Sequence, residues 1–331
     1  MTDQLLDRLA EWLAIDSTTG REARFLETLE DDLRALGLTC RRQPIEDDRW
    51  NLLAAATYDP SLIFCTHVDT VPPHLPVEIR GDAVYGRGAC DTKGGLLAMM
   101  RATARLLERG GRDLGLLLVV GEEVDHRGAR AARSLDLSPD RIVLCEPTRN
   151  RAVAGQKGMA KLDLRAEGSS AHSAFPDRGE SAVHRLLDAV DRLRSHDWPT
   201  DETLGQTTLN VGTIEGGVAA NVLAPSATAE LLVRTVSPAG ELIERIEKLA
   251  GGVEVDPVSS NDPLTFDPPA GVETTVVPFN TDAPYLVELG PVWLVGPGDI
   301  EYAHSDEEHI ELEALREGID LYTELGERVI G

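Results

Sequence analysis

Lysine is almost missing from this chain: Lys93, Lys157, Lys161 and Lys248 are its only occurrences, and every other basic residue is arginine. Basic residues of both kinds number 32 against 57 acidic ones, a net charge of −25. A surface so poor in positive charge repels polyanions, which argues against nucleic acid and anionic membranes as partners. It is compatible with cationic small molecules or metal ions; adaptation to high salt and a bias in base composition account for it equally well. Long apolar runs are also missing. None approaches the roughly 18 residues that a membrane-spanning helix requires. The opening stretch MTDQLLDRLAEWLAID reads as an acidic amphipathic helix, without the basic, apolar, small-residue order of a signal peptide, so a cytoplasmic enzyme is expected. Cysteine is sparse: Cys40, Cys65, Cys90 and Cys145 are scattered with no CxxC pair, the pattern of reduced thiols. Cys90 adjoins Asp91 and Cys145 adjoins Glu146. Neighbours on an extended chain point to opposite sides, so these thiols are poor metal-ligand candidates.

What is present is an ordinary globular composition, 42% apolar and 27% charged, over 331 residues, a length that favours two domains. The first half alternates helices, near 3–14, 21–36, 92–108 and 129–134, with apolar strands at 61–66, 114–120 and 141–144. Strands buried on both faces between helices indicate a mostly parallel sheet in an α/β domain. Residues 159–258 then read strand, helix (Gly179–Ser195), strand, strand, helix, strand, the split βαβ order of a small ferredoxin-like sandwich. A Pro- and Asp-rich stretch, 261–269, leads back to the first domain, to which 275–277 and 292–295 would add strands before a closing helix at 311–329. The expected division is therefore 1–156 and 263–331 for the large domain, with 157–262 inserted.

One stretch, SLIFCTHVDTVPPHLPVEIRGDAVYGRGACDTKGG, carries the first chemistry. His67 and Asp69 follow an apolar strand, and Asp91 precedes an apolar helix. Glu122 and Glu123 follow the strand at 114–120, and Glu146 follows the strand at 141–144. Ligands of open α/β sheets bind beyond the carboxyl ends of the strands, where these residues fall. Imidazole and carboxylates gathered there are the chemistry of a metal site. Singly, each has a plainer use. His67 can be a hydrogen-bonded strand-end histidine, Asp91 a helix N-cap, and Glu122–Glu123 a solvated pair.

Taken in order, HVDTVP, YGRGACDTKGG, GEEVDHRGA, CEPT, GSSAHSAFPDRGESA and GPGDIEYAHSDEEHI resemble the dizinc metallohydrolase family of aminoacylases, carboxypeptidases, acetylornithine deacetylases and succinyl-diaminopimelate desuccinylases. The resemblance covers nearly the whole chain. It implies a parallel-sheet dizinc catalytic domain carrying an inserted lid and dimerisation domain. It implies two Zn²⁺, with Co²⁺ or Mn²⁺ as substitutes: His67 and Glu146 on one ion, Glu123 and His304 on the other, Asp91 bridging. Glu122 resembles the general base and Asp69 the residue that orients His67. His172 resembles the lid histidine that stabilises the oxyanion, often from a partner subunit. Asn221 and Arg234 resemble substrate contacts, Arg234 for an α-carboxylate, although Pro225 stands one position later than the family's N-x-x-P. Thr281 and Gly296 fall in the run toward His304 that resembles further substrate contacts, with Gly296 and Gly298 shaping the loop. The run FNTDAPYL resembles the acetylornithine deacetylase branch, which implies deacylation of a small N-acyl amino acid, N-acetylornithine, in arginine biosynthesis, by a homodimer. Dipeptidase, carboxypeptidase and desuccinylase activities are the alternatives within the family. A non-catalytic amino-acid or metal-binding protein is the alternative outside enzymes, against which the intact Glu122 argues. His74, His126, His184, His196 and His309 have no comparable context and read as surface residues.

Overall fold

Every side chain of the strand Leu114–Val119, LGLLLV, is buried, and so is every side chain of Leu62–His67. Strands without a polar face need cover on both sides, which parallel sheets obtain from their crossover helices. The computed structural model, which describes residues 3–331, shows this arrangement. Six strands form one sheet in the order Thr39–Glu46, Arg49–Ala55, Leu114–Val119, Leu62–His67, Arg141–Leu144 and Val292–Leu294. The last four are mutually parallel, and Arg49–Ala55 runs antiparallel to Leu114–Val119. Leu62–His67 lies between the two strands that follow it, so the chain leaves it first to one side and then to the other. That makes its carboxyl end, where His67 sits, the topological switch point of the sheet.

The helix Gly94–Glu108 connects Leu62–His67 to Leu114–Val119 and packs against the closing helix Leu312–Ile330. Their approach is close because Gly326 has no side chain; a Cβ there would come within 2.4 Å of Leu106. Tyr322 on the closing helix is fully buried, meets Phe64 edge-on at 5.7 Å, and donates its hydroxyl to the Val295 carbonyl at 2.9 Å. The loop before His304 is thereby tied to the core.

The chain divides into two compact units. One comprises Met1–Ala154, Phe266–Thr275 and Thr281–Gly331; the other comprises Gly155–Thr265 and Val276–Asn280. The second unit holds a four-stranded antiparallel sheet in the order Thr208–Gly216, Ser226–Thr235, Gly158–Glu167, Glu254–Asn261. Along Gly158–Glu167, Ala160, Leu162, Leu164 and Ala166 are buried and alternate with more exposed residues. The helices Ala182–Ser195 and Ala239–Ala250 supply Leu186, Leu193 and Ile246 to that core.

Three local expectations change. The helix expected from Thr92 begins at Gly94; Ala89–Lys93 is a wider turn in which Asp91 and Thr92 have non-helical torsions, so Asp91 is not an N-cap. The helix expected from Gly179 begins at Ala182, because Ser181 caps it by accepting the His184 N–H, and Pro176–Arg178 forms a separate short turn. Thr274–Val277 is not a strand of the six-stranded sheet but joins a separate three-stranded ladder. A four-residue β-branched run specifies a strand without specifying its partner.

Candidate metal centre

His67 ends its strand almost fully buried. Its Nδ1 donates to the main-chain oxygen of Asp69 at 2.9 Å, which leaves Nε2, 3.1 Å from Asp91 Oδ1, as the nitrogen available to a metal ion. The group that orients the ring is therefore the Asp69 carbonyl. Its carboxylate lies 3.7 Å from Nδ1, beyond hydrogen-bonding range. That carboxylate accepts instead from the Thr19 hydroxyl at 2.8 Å and from the backbone N–H groups of Gly121, Glu122 and Glu123 at 2.9, 3.1 and 3.2 Å. Asp69 thus fixes the turn that presents both glutamates. Sequence spacing showed its proximity to His67 but not this use, which depends on contacts more than fifty residues away.

Asp91 lies between two imidazoles: Oδ1 faces His67, and Oδ2 faces His304 Nε2 at 3.3 Å. Glu308 holds the Asp91 loop by accepting N–H groups from Gly88 at 2.9 Å and Asp91 at 3.3 Å. The other Glu308 oxygen takes Arg87 Nη1 at 2.6 Å, and the same nitrogen reaches the Ser305 carbonyl at 3.2 Å. Burial, reinforced by the Asp91 charge, lifts the Glu308 carboxyl to about 7 in spite of Arg87. One buried pair thereby ties the loops carrying Asp91 and His304 together. Glu308→Ala is expected to weaken zinc binding about 10–100-fold in chelator competition, the usual effect of losing a group that holds a ligand in place. Unchanged affinity would mean the two loops hold themselves.

His304 is half-exposed on its side chain and has a left-handed φ of 62°. Its Nε2 lies 3.1 Å from Glu123 Oε2. Hydrogen bonds to Asp91 and Glu123 outweigh its partial burial and raise the imidazole to about 10. Burial would lower His67, but Asp91, Glu122 and Glu146 outweigh it and hold the ring well above its ordinary range. Asp91 is held well below the carboxylate range: burial opposes this, and the two histidines overcome it. Glu122 and Glu146 are pushed well up, by burial first and then by neighbouring carboxylates. Glu146 Oε1 is buried without a hydrogen-bond partner. An anionic oxygen in that position is costly unless a cation meets it.

These residues fit a pair of divalent ions. Donors on one tetrahedral zinc at 2.0–2.1 Å are separated by about 3.3 Å. The His67–Asp91, Asp91–His304 and His304–Glu123 separations are 3.1, 3.3 and 3.1 Å. Two imidazoles with carboxylates suit zinc and its borderline neighbours. His67, Asp91 and Glu123 offer ligand atoms all within 4.8 Å of one another. Among the described residues no cysteine joins such a group; Cys145 is turned toward Gly95 and Gly296, and burial pushes it up to about 12.

Thr281 is fully buried, and its hydroxyl accepts the Ala283 N–H at 3.1 Å at the start of the short helix Ala283–Leu286. Gly296 is a close-approach position; a Cβ would lie 2.6 Å from both Cys145 Sγ and the Glu146 carbonyl oxygen. Gly298 has a φ of 92° and would meet Cys90 Cβ at 2.7 Å. In the inserted unit, His172 and Asn221 are brought together: Ser173 N–H donates to the Asn221 carbonyl at 3.0 Å, and His172 bridges to Val222. Arg234 sits near the far end of Ser226–Thr235, roughly 26 Å along the strand from its start. His126 corrects the surface expectation, for it is buried beside Glu122 and Asp282. Its position four residues beyond Glu122 was the available signal; its partner Asp282 is distant in sequence. His309 is also half-buried, stacked on Tyr85 at 4.6 Å, and His196 packs edge-on to Trp198. His74 and His184 are exposed as expected.

Comparison with known proteins identifies a family. The model of peptidase family M20/M25/M40 matches residues 63–328. A peptidase M20 domain-containing protein of Schizosaccharomyces pombe is 35% identical over 338 positions, covering 97% of this chain and 83% of its own. A probable carboxypeptidase of Aspergillus terreus is 35% identical over 359 positions, covering 94% and 83%. In fold, the chain is similar to a tripeptidase from Staphylococcus aureus, with TM-score 0.85, 21% identity, and 99% and 98% coverage. With the family model and both relatives spanning most of its length, the chain belongs to peptidase family M20/M25/M40 and is a metal-dependent hydrolase of amide bonds.

Proposed function

We propose that the protein removes a C-terminal amino acid from short peptides, using two zinc ions held around Asp91. The observation that carries this reading is the Asp91 carboxylate, one oxygen facing His67 and the other His304, with Glu122 alongside. His67, Glu146 and Asp91 would hold one ion, and His304, Glu123 and Asp91 the other. Such a pair polarises the scissile carbonyl and acidifies a water. Glu122, lifted by burial, is suited to take the water's proton and deliver it to the leaving nitrogen, giving a carboxylic acid and an amine. Asp69 holds Glu122 and Glu123 through their backbone N–H groups, so base and ligand keep a fixed separation.

The probable-carboxypeptidase relatives support a peptidyl group on the scissile carbonyl. A second reading, removal of an acetyl group from N-acetylornithine, rests on the resemblance of Thr281-Asp282-Ala283-Pro284 to the acetylornithine deacetylase branch. The net charge of −25 suits a cationic side chain and disfavours an acidic carrier protein as substrate. His172, Asn221 and Arg234 as substrate contacts, and a homodimer formed through the inserted unit, enter on resemblance alone.

A panel of dipeptides and tripeptides, N-acetylornithine, N-acetylcitrulline and N-succinyl-diaminopimelate, assayed with Zn²⁺ or Co²⁺, tests the proposal. Peptides with a free C-terminus are expected to give the highest kcat/KM. Amidating that C-terminus should lower it at least about 30-fold, the lower range for losing one partner of a buried charged contact. Preference for N-acetylornithine would replace the first reading by the second. Indifference to amidation would sink both.

A further inference from the structure

Behind Glu122 lies a row of side chains that binding two metal ions does not require. His126 Nδ1 is 2.9 Å from Asp282 Oδ1 and 3.6 Å from Glu122 Oε1. All three side chains are largely buried. The row is built with care for its geometry. His126 adopts φ 58° and ψ 24°, a left-handed conformation uncommon outside glycine. Its N–H and that of Asp125 both return to the Gly121 carbonyl, at 2.8 and 3.1 Å, closing a turn that begins beside Glu122. The ring rests on Tyr285 at 5.3 Å. Asp282 is fixed from its own side: its carbonyl accepts the N–H groups of Tyr285 and Leu286, and Thr281 caps the same short helix.

We infer that His126 and Asp282 are positioning residues for Glu122, Asp282 setting the imidazole so that its Nδ1–H edge steadies one Glu122 oxygen and leaves the other for the reacting water. This rests on the proposed role of Glu122 as base. With Nδ1–H donated to Asp282, the ring places a positive edge between two buried carboxylates that would otherwise face each other. At 3.6 Å Glu122 Oε1 is beyond hydrogen-bonding range, and the single Nδ1–H is already given to Asp282, so His126 acts on Glu122 through the charge distribution of that ring edge. The three side chains also have the composition of a cation site. An ion bound there would engage Glu122 and remove it from catalysis, so metal counting belongs in the test.

The test uses the zinc-loaded enzyme and the preferred substrate of the panel, with His126→Gly, His126→Asn, Asp282→Ala and Glu122→Gln side by side. Glycine accepts the left-handed backbone and removes the donor; asparagine tolerates the same backbone and places an amide N–H near the position of Nδ1. His126→Gly is expected to lower kcat about 10–100-fold with KM within about threefold of wild type and two zinc ions retained. His126→Asn should recover at least about tenfold of that loss, which a packing role alone would not give. Asp282→Ala should lower kcat similarly, and the double variant with His126→Gly should be far less impaired than the product of the two effects, because one row is broken twice. A His126→Gly kcat within twofold of wild type, equal impairment of the Gly and Asn variants, or a third zinc lost with His126 would each overturn the inference. Undiminished turnover in Glu122→Gln would instead overturn the functional proposal beneath it.

Discussion

Glu122→Gln is expected to lower kcat about 10²–10⁴-fold, the range for removing a general acid–base group, while two zinc ions stay bound. Glutamine keeps the size of the side chain and its backbone hydrogen bond to Asp69, so the turn that places Glu123 is not disturbed. What disappears is a carboxylate held well above its ordinary pKa by burial and by Glu146, Asp282 and Glu123. In the proposed reaction that group must both take a proton from water and return it to the departing amine. Because the amide of glutamine does neither, the loss should appear in kcat with KM little changed. Single-turnover kinetics and metal analysis on the same preparation separate this outcome from metal loss.

Asp91→Ala should leave less than about 1% of wild-type activity and weaken zinc binding by at least about 100-fold, more than losing a supporting group costs. Asp91 faces both His67 and His304, and its two oxygens separate those imidazoles. Its removal leaves His67 facing Glu122 and Glu146 without the carboxylate that joins the two halves. Equilibrium dialysis with metal analysis reads the effect directly. Full retention of both ions would mean that the halves bind independently.

Much of this centre was legible in the sequence because its residues follow apolar strands. Leu114–Val119 and Arg141–Leu144 read as buried parallel strands, and the acidic residues just beyond them had to lie at one edge of the sheet. His304 was different; no strand places it, and only the resemblance of its surrounding motif pointed there. What spacing could not supply was the use of each polar atom. The Asp69 carboxylate, two residues from His67, serves the distant Gly121–Glu123 turn, while its carbonyl orients the ring. His126 read as a surface residue for want of a motif around it, and it is buried because Asp282 and Tyr285 arrive from another part of the chain. Thr274–Val277 had the composition of a strand and no feature naming its neighbours, so its sheet was misplaced. In each case the local pattern set the element, and a long-range contact set its role.

Anomalous diffraction at the zinc edge from zinc-loaded crystals tests the two-metal centre most directly. Two peaks per chain are expected, one on either side of Asp91, the first touching His67 and Glu146 and the second Glu123 and His304. A single peak, or two peaks of which neither touches Asp91, would contradict it.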